Sequence, residues 1–487
     1  RAAIIALATT ASRRVRMIAY RLAPQQTCTM TTMKIPSKTP AHRMGKRDVR
    51  LTVSSLVAVA MVATLFPFLV AAAPVESGRV AVTVIEYPEN YKPDGMWSGL
   101  YAASSGRIYS GLCTHGGSAL FYEYDPATRV NRLVADIGEF LGDKGTGERT
   151  HGKIHTRFAE DKRGRIYFAT GNQGSGPRTI DPSTWVARGS HVLRYDPTSR
   201  KLEDLGQVTP NFGSYGLVMD REREMVYLTC FDSHLYQFDV NRRSSRDLGR
   251  VSNWDVNRMI AIDGRGNVYG TSENHWIWKY DAAADRLADL PLQVPHDPTI
   301  RLNYTSGRPV MDRRQLSRYV EWDPVDKKIY GIECGRSLLF EFDPASGPYG
   351  AVRQLADMAL DIHRRQNRFP YATLAMGLSP GKEIYYATAS RSFDYAAGDQ
   401  ETEAASQTYL EHYDLKTGQK RVLGVMAATD GRAVLGLGGC EVAKDGKVYF
   451  CGALQEPDKS KAAGRAAGRD PYGLQLMVWE PKSDPRK

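Results

Sequence analysis

The stretch "AEDKRGRIYFATG" (Ala159–Gly171) decides the fold. Strand-forming residues alternate on either side of a tight polar turn, "DKRGR", the pattern of two short antiparallel strands. The phrase recurs. "SSGRIYSGLC" carries it at Tyr109, "REREMVYLTC" at Tyr227, "GRGNVYGTSE" at Tyr269, "VDKKIYGIEC" at Tyr330, "PGKEIYYATA" at Tyr385 and "KDGKVYFCGA" at Tyr449. A second phrase follows each, a strand running into an Asp turn: "FYEYDPATR" (Asp125), "VLRYDPTSR" (Asp196), "LYQFDVNRR" (Asp239), "IWKYDAAAD" (Asp281), "LFEFDPASG" (Asp343), "LEHYDLKTG" (Asp414) and "MVWEPKSD" (Glu480).

Seven copies about 40–60 residues apart, each with four short strands, predict an all-β chain: a seven-bladed β-propeller over residues 79–487. No helical periodicity competes after residue 75. The last copy stops after its third strand, and a lone strand, "RVAVTVIEYP" (Arg79–Pro88), precedes the first full copy. That strand is expected to close the ring by adding the fourth strand of the last blade.

The formal net charge of +11 suggests nucleic acid, but its location excludes that reading. Residues 1–50 hold eleven Lys/Arg and one acid, Asp48, leaving 54 basic and 53 acidic residues of the 65 and 54 for the rest. No nucleic-acid partner is therefore expected for the folded part. Residues 1–43 read as an untranslated or disordered leader. Residues 44–73 read as a signal peptide: "MGKRDVR" is a positive n-region and an uncharged run to Ala73 follows. Val70 and Ala72 fit cleavage after Ala72; an uncleaved signal anchor, which would bring the membrane in as a partner, is the alternative. Either way a secreted, periplasmic or cell-surface protein is expected. Six cysteines in 487 residues make no disulfide framework. A turn centred on Asp445–Gly446 would set Cys440 opposite Cys451 within reach of a disulfide; two buried free thiols are the other reading.

In a four-stranded meander the 1–2 and 3–4 turns lie on one face of the ring, the 2–3 and 4–1 connections on the other. The long segments, such as "EFLGDKGTGERTHGK" and "SRSFDYAAGDQETEAASQ", all belong to the second face, so the ligand site is expected there. At the entries of the innermost strands stand His155, Tyr215, Asn257, Arg258, Arg318 and Tyr371. The ends of second strands add His115, Asn172, His234, Asn274 and His275. Hairpin arithmetic sets Tyr215 opposite Cys230, Arg258 opposite Glu273 and Arg318 opposite Cys334. Each residue has a structural reading: a satisfied surface histidine, an Arg258–Glu273 ion pair, aromatic packing at the rim. Their joint placement is what points to a ligand.

Two functions fit. A β-elimination enzyme needs a cation to neutralise a uronic carboxylate, here Arg258 with Arg318 in reserve, and an acid and base, here Tyr215 and His155. His115, Asn172, Asn257, Asn274, His275, Arg318 and Tyr371 would bind substrate. In propeller architecture and residue types this arrangement resembles the propeller polysaccharide lyases (ulvan lyases and oligogalacturonate lyase), which combine His, Tyr and Arg or a His-bound metal on one face. The resemblance implies an acidic polysaccharide or oligosaccharide as partner. A divalent metal ion is a variant of the reading, held by His115, His151 and His155, or by His234 with His275; His151 and His155 lie about 13 Å apart on a straight strand, so one ion reaches both only if the chain bends. The alternative is a non-catalytic propeller that binds a glycan or a protein through the same rim. A monomer is expected in either case.

Overall fold

The computed structural model describes residues 78–88, 92–114, 117–146, 150–171, 188–252, 259–297, 317–360, 375–389, 407–458 and 472–481. The leader and signal readings fall outside these residues. So do His115, Asn172, Asn257, Arg258 and Tyr371, and the side chain of Glu273.

The recurring turns build the blades. In the 1–2 turns, Ala103, Asp161, Asp263 and Ala443 each donate their N–H to the carbonyl four residues on. The glycine before the last turn residue (Gly106, Gly164, Gly266, Gly446) bonds back to the first carbonyl with φ of +78 to +87°. Only glycine takes that left-handed conformation freely, hence the repeated "G" two residues before the strand. In the 3–4 turns the recurring Asp has a different purpose. Asp125, Asp196, Asp239, Asp281, Asp343 and Asp414 each accept the N–H of the residue two positions on, at 2.8–3.1 Å, which fastens the turn from inside. The recurring Tyr is buried between blades, with its hydroxyl on a polar group: Tyr167 on Asp161, Tyr269 on Asp263, Tyr330 on Asp326. Phenylalanine would fill the space but leave those acids short of a donor.

These hairpins form five free-standing four-stranded antiparallel blades, which we number one to five, over residues 100–136, 159–209, 214–250, 261–293 and 317–357. The other strands form a single eight-stranded sheet rather than two separate blades. The cause is the strand Arg79–Ile85. Its first half (79–82) pairs in parallel with Gln419–Ala428 and its second half (83–85) antiparallel with Tyr472–Trp479. The expected pairing of the first strand with the last is thus present, and the same strand also joins the neighbouring sheet. Its Val80 and Val82 are fully buried, while Arg79, Ala81 and Thr83 between them are exposed.

Two register expectations are corrected. Cys440 faces Phe450, and Cys451 faces Gly439, because the turn spans three residues (444–446) instead of two. The cysteines are one position out of register, and both are free buried thiols. Tyr215 is not set opposite Cys230, nor Arg318 opposite Cys334: Cys230 pairs with Ser214 and Glu333 with Ser317, and the ladder shifts at Tyr215 and at Arg318. Each is the extra residue of a β-bulge at the start of an innermost strand, which re-aims its side chain.

Candidate functional site at the channel mouth

The connection into blade two, residues 151–158, alternates as a strand does although it pairs only briefly. Lys153 exchanges both backbone hydrogen bonds with Gly171 at 2.8 and 3.0 Å. Ile154 and Phe158 enter the core between blades one and two, and Thr156 bonds Ala169. The intervening residues Lys153, His155 and Arg157 therefore share the opposite side, and each meets a group from another blade. The Lys153 ammonium lies 5.2 Å from the Trp97 ring centre. His155 stacks on Tyr215 of blade three, centroids 5.1 Å apart and planes within 9°, with Trp97 edge-on at 5.1 Å. His155 and Tyr215 are only 3% and 4% exposed.

Arg157 reaches furthest. Its Nε and Nη2 donate to both Glu441 carboxylate oxygens at 2.9 and 3.0 Å, and Nη2 also donates to Glu321 at 2.9 Å. Glu321 lies in the innermost strand of blade five (Ser317–Asp323), Glu441 in the strand Val434–Val442. One guanidinium therefore ties three parts of the ring together across its centre. Tyr319 lies beneath it, the ring centre 5.8 Å from the guanidinium carbon and the hydroxyl donating to Glu321 at 2.8 Å. Burial, opposed by Arg157 and reinforced by neighbouring Glu321, raises the Glu441 pKa. For Arg157 burial works against the charge, but Glu321 and Glu441 outweigh it and hold its pKa well above normal.

The structure brings His155 and Tyr215 into contact. Arg318 is buried at its bulge in blade five. The other described candidates make separate contacts. Asn274 is exposed in a left-handed turn, where its carbonyl accepts from Gln293. His275 stacks on His296 (4.4 Å, 9°), and His234 pairs with Asp247 at 2.8 Å. His151 is held by Asp143 at 2.5 Å, whereas His155 stacks on Tyr215. Among the described residues no group of three or more His, Cys, Asp or Glu side chains is placed to hold a metal ion.

His275 carries a pH signature. Burial, with a smaller push from His296, lowers its pKa to about 3. The unfolded chain, with histidine near 6.5, then binds the proton more tightly than the folded one. Stability is intact above pH 6.5 and falls as the pH drops from about 6.5 towards 3, by no more than about 5 kcal/mol. His275→Leu is expected to flatten this acid loss, read as denaturant midpoints at pH 7 and pH 4. An unchanged slope would show that His275 is not its source.

Catalysis by elimination needs an accessible base and an unengaged cation. The described mouth offers a stacked, buried His–Tyr pair and an arginine already shared by two carboxylates, an arrangement that makes a stiff wall.

No protein-family model matches the chain, and no curated protein matches it. Solved structures do. The WD40 repeats of RRP9 match at 10% identity with a TM-score of 0.50, covering 83% of this chain and 100% of that one. The chain has a β-propeller fold. At that identity the likeness extends to the fold alone. U3-55K matches at 9% identity and TM-score 0.49, over 82% of this chain and 98% of that one. The Cps50 (Swd1) β-propeller domain of Myceliophteria thermophila matches at 10% and 0.48, over 81% and 99%.

Sequence reasoning missed the Arg157–Glu321–Glu441 cluster. The available signal was an acid in each of two innermost strands, "RYVEWD" and "GGCEVAKD", where a lone charge is costly.

Proposed function

We propose that this chain is a non-catalytic, protein-binding propeller of seven blades, with the partner docking on the face of the long connections. In this reading the eight-stranded sheet is blades six and seven, joined edge to edge by Arg79–Ile85, and the chain is exported by the segment 44–73. The observation that carries the proposal is the difference between the two faces. One is closed by short turns whose polar groups are satisfied internally. The other is the face to which the longer connections of the sequence belong; Phe140 after blade one and Trp276, the first residue of the third strand of blade four, are exposed there, as Val130, Val325 and Tyr349 are at the turns of the opposite face. Aromatic side chains on a rigid, polar rim are what protein interfaces use as anchors.

A polyuronate would favour a free cation at the mouth, and Arg157 is already neutralised by two glutamates. A uronate lyase would need Tyr215 or His155 as an accessible base, and both are buried against each other. Incubation with a panel of uronate polysaccharides is therefore expected to give no rise in near-ultraviolet absorbance. A rise that disappears in Tyr215→Phe would overturn the non-catalytic reading.

A further inference from the structure

His151 is held by Asp143 rather than by the groups around His155. It lines a cavity of ≈ 430 Å³ together with Phe140, Leu141, Arg188, His191 and Asp204, between the turn that follows blade one and the outer strands of blade two. We propose that His151 and His191 are the protein ligands of a divalent transition-metal ion of the zinc class.

The case starts with the tautomers. His151 Nδ1 lies 2.5 Å from Asp143, and His191 Nδ1 lies 3.0 Å from Asp204. An ionised carboxylate can only accept, so each Nδ1 carries the proton, and in the neutral ring each Nε2 keeps a lone pair. A carboxylate behind Nδ1 is the arrangement that orients a metal-ligating imidazole and raises its basicity. Asp143 is fully buried and also accepts the His151 backbone N–H at 3.3 Å, so the ring is fixed at two points.

The second observation is an unmet bonding need. His151 is 2% exposed, and its Nε2 has no hydrogen-bond partner among the described residues. Leaving such a nitrogen buried and bare is unfavourable, and an ion would remove that cost. The third is the spacing. The two ring centroids lie 5.3 Å apart with the planes at 84°. Two imidazoles on one tetrahedral zinc, with metal–nitrogen bonds of about 2.0–2.1 Å, place their ring centres about 5 Å apart.

Blade three supplies an internal comparison. It repeats the histidine–aspartate pair as His234–Asp247 on the same two strands, with Gly249 following as Gly206 follows Asp204. There the imidazole neighbours Tyr236. The pair alone is thus a feature of the repeat, and the second carboxylate-held imidazole is the addition of blade two. With two protein ligands, the other positions on the ion fall to water from the cavity. Exposed Arg188 would repel the ion and so weaken binding.

The test uses the full chain, stripped with a chelator and titrated with Zn²⁺ by calorimetry and with Co²⁺ by visible absorbance. Saturable binding is expected. His191→Ala and Asp143→Asn should each weaken it at least about tenfold, His234→Ala should leave it unchanged, and Arg188→Ala should not weaken it. Circular dichroism melts confirm that each variant is folded. If Asp143→Asn fails to fold, His191→Ala, whose ring is part-exposed, decides. No saturable zinc binding, or binding indifferent to His191→Ala, overturns the proposal. So does an isotherm for inorganic phosphate alone that is lost in Arg188→Ala, which would make the cavity an anion site.

Discussion

Replacing Arg157 with methionine is expected to lower the unfolding free energy by about 3 kcal/mol, because it strands two carboxylates that share one cation. The three side chains are at most 18% exposed, so water cannot readily take the guanidinium's place. The ion pair itself need contribute little, since desolvation offsets much of its attraction; the cost comes from removing one partner only. Two consequences separate this from lost packing. First, combining Arg157→Met with Glu321→Gln and Glu441→Gln should recover most of the loss. Second, burial raises the Glu441 pKa and Arg157 opposes that rise, so without Arg157 the deficit should be largest above neutral pH and shrink as the pH falls towards 4. Guanidinium unfolding curves at pH 8 and pH 5 measure both. A deficit independent of pH, with no recovery in the triple variant, would show that Arg157 acts through its aliphatic stem.

Val82→Asp is expected to cost about 4 kcal/mol or more and to make the protein aggregate. Val82 is fully buried in the strand that pairs with Gln419–Ala428 on one side and Tyr472–Trp479 on the other. A carboxylate there falls in an apolar cluster with Leu410, Met426 and Met477, and loosening the strand uncovers two sheet edges at once. Ala81→Asp, one residue away on the exposed side, should change stability by less than about 1 kcal/mol. Thermal melts with light scattering compare the two. Equal effects would mean that the strand is not the closure of the ring.

The architecture was legible because its turns are chemically specific. An Asp that fastens the 3–4 turn and a Gly that takes a left-handed φ in the 1–2 turn are local requirements, and they recur in the sequence wherever the turn recurs. Register was less legible. Cys440 and Cys451 were misplaced because a two-residue and a three-residue turn read alike around "KDG". The bulges at Tyr215 and Arg318 leave no mark in the alternation of so short a strand. The site was legible in part. His155 and Tyr215 meet because both sit at innermost-strand entries of adjacent blades, which the repeat fixes. Arg157 was not assigned because its partners lie 164 and 284 residues further along, and only the closed ring brings them opposite. The Asp143–His151 pair is likewise set by the path of one connection, which no sibling repeat shares.

The docking proposal is tested most directly by where a partner touches the ring. A photo-crosslinking amino acid is placed singly at Phe140 and Trp276 on the long-connection face, and at Val325 and Tyr349 on the turn face; all four side chains are exposed. Each purified variant is irradiated in an extract of its source, and protein adducts are identified by mass spectrometry. Specific adducts from positions 140 and 276, and none from 325 and 349, are the predicted result. Adducts confined to positions 325 and 349 would place the partner on the opposite face and contradict the account.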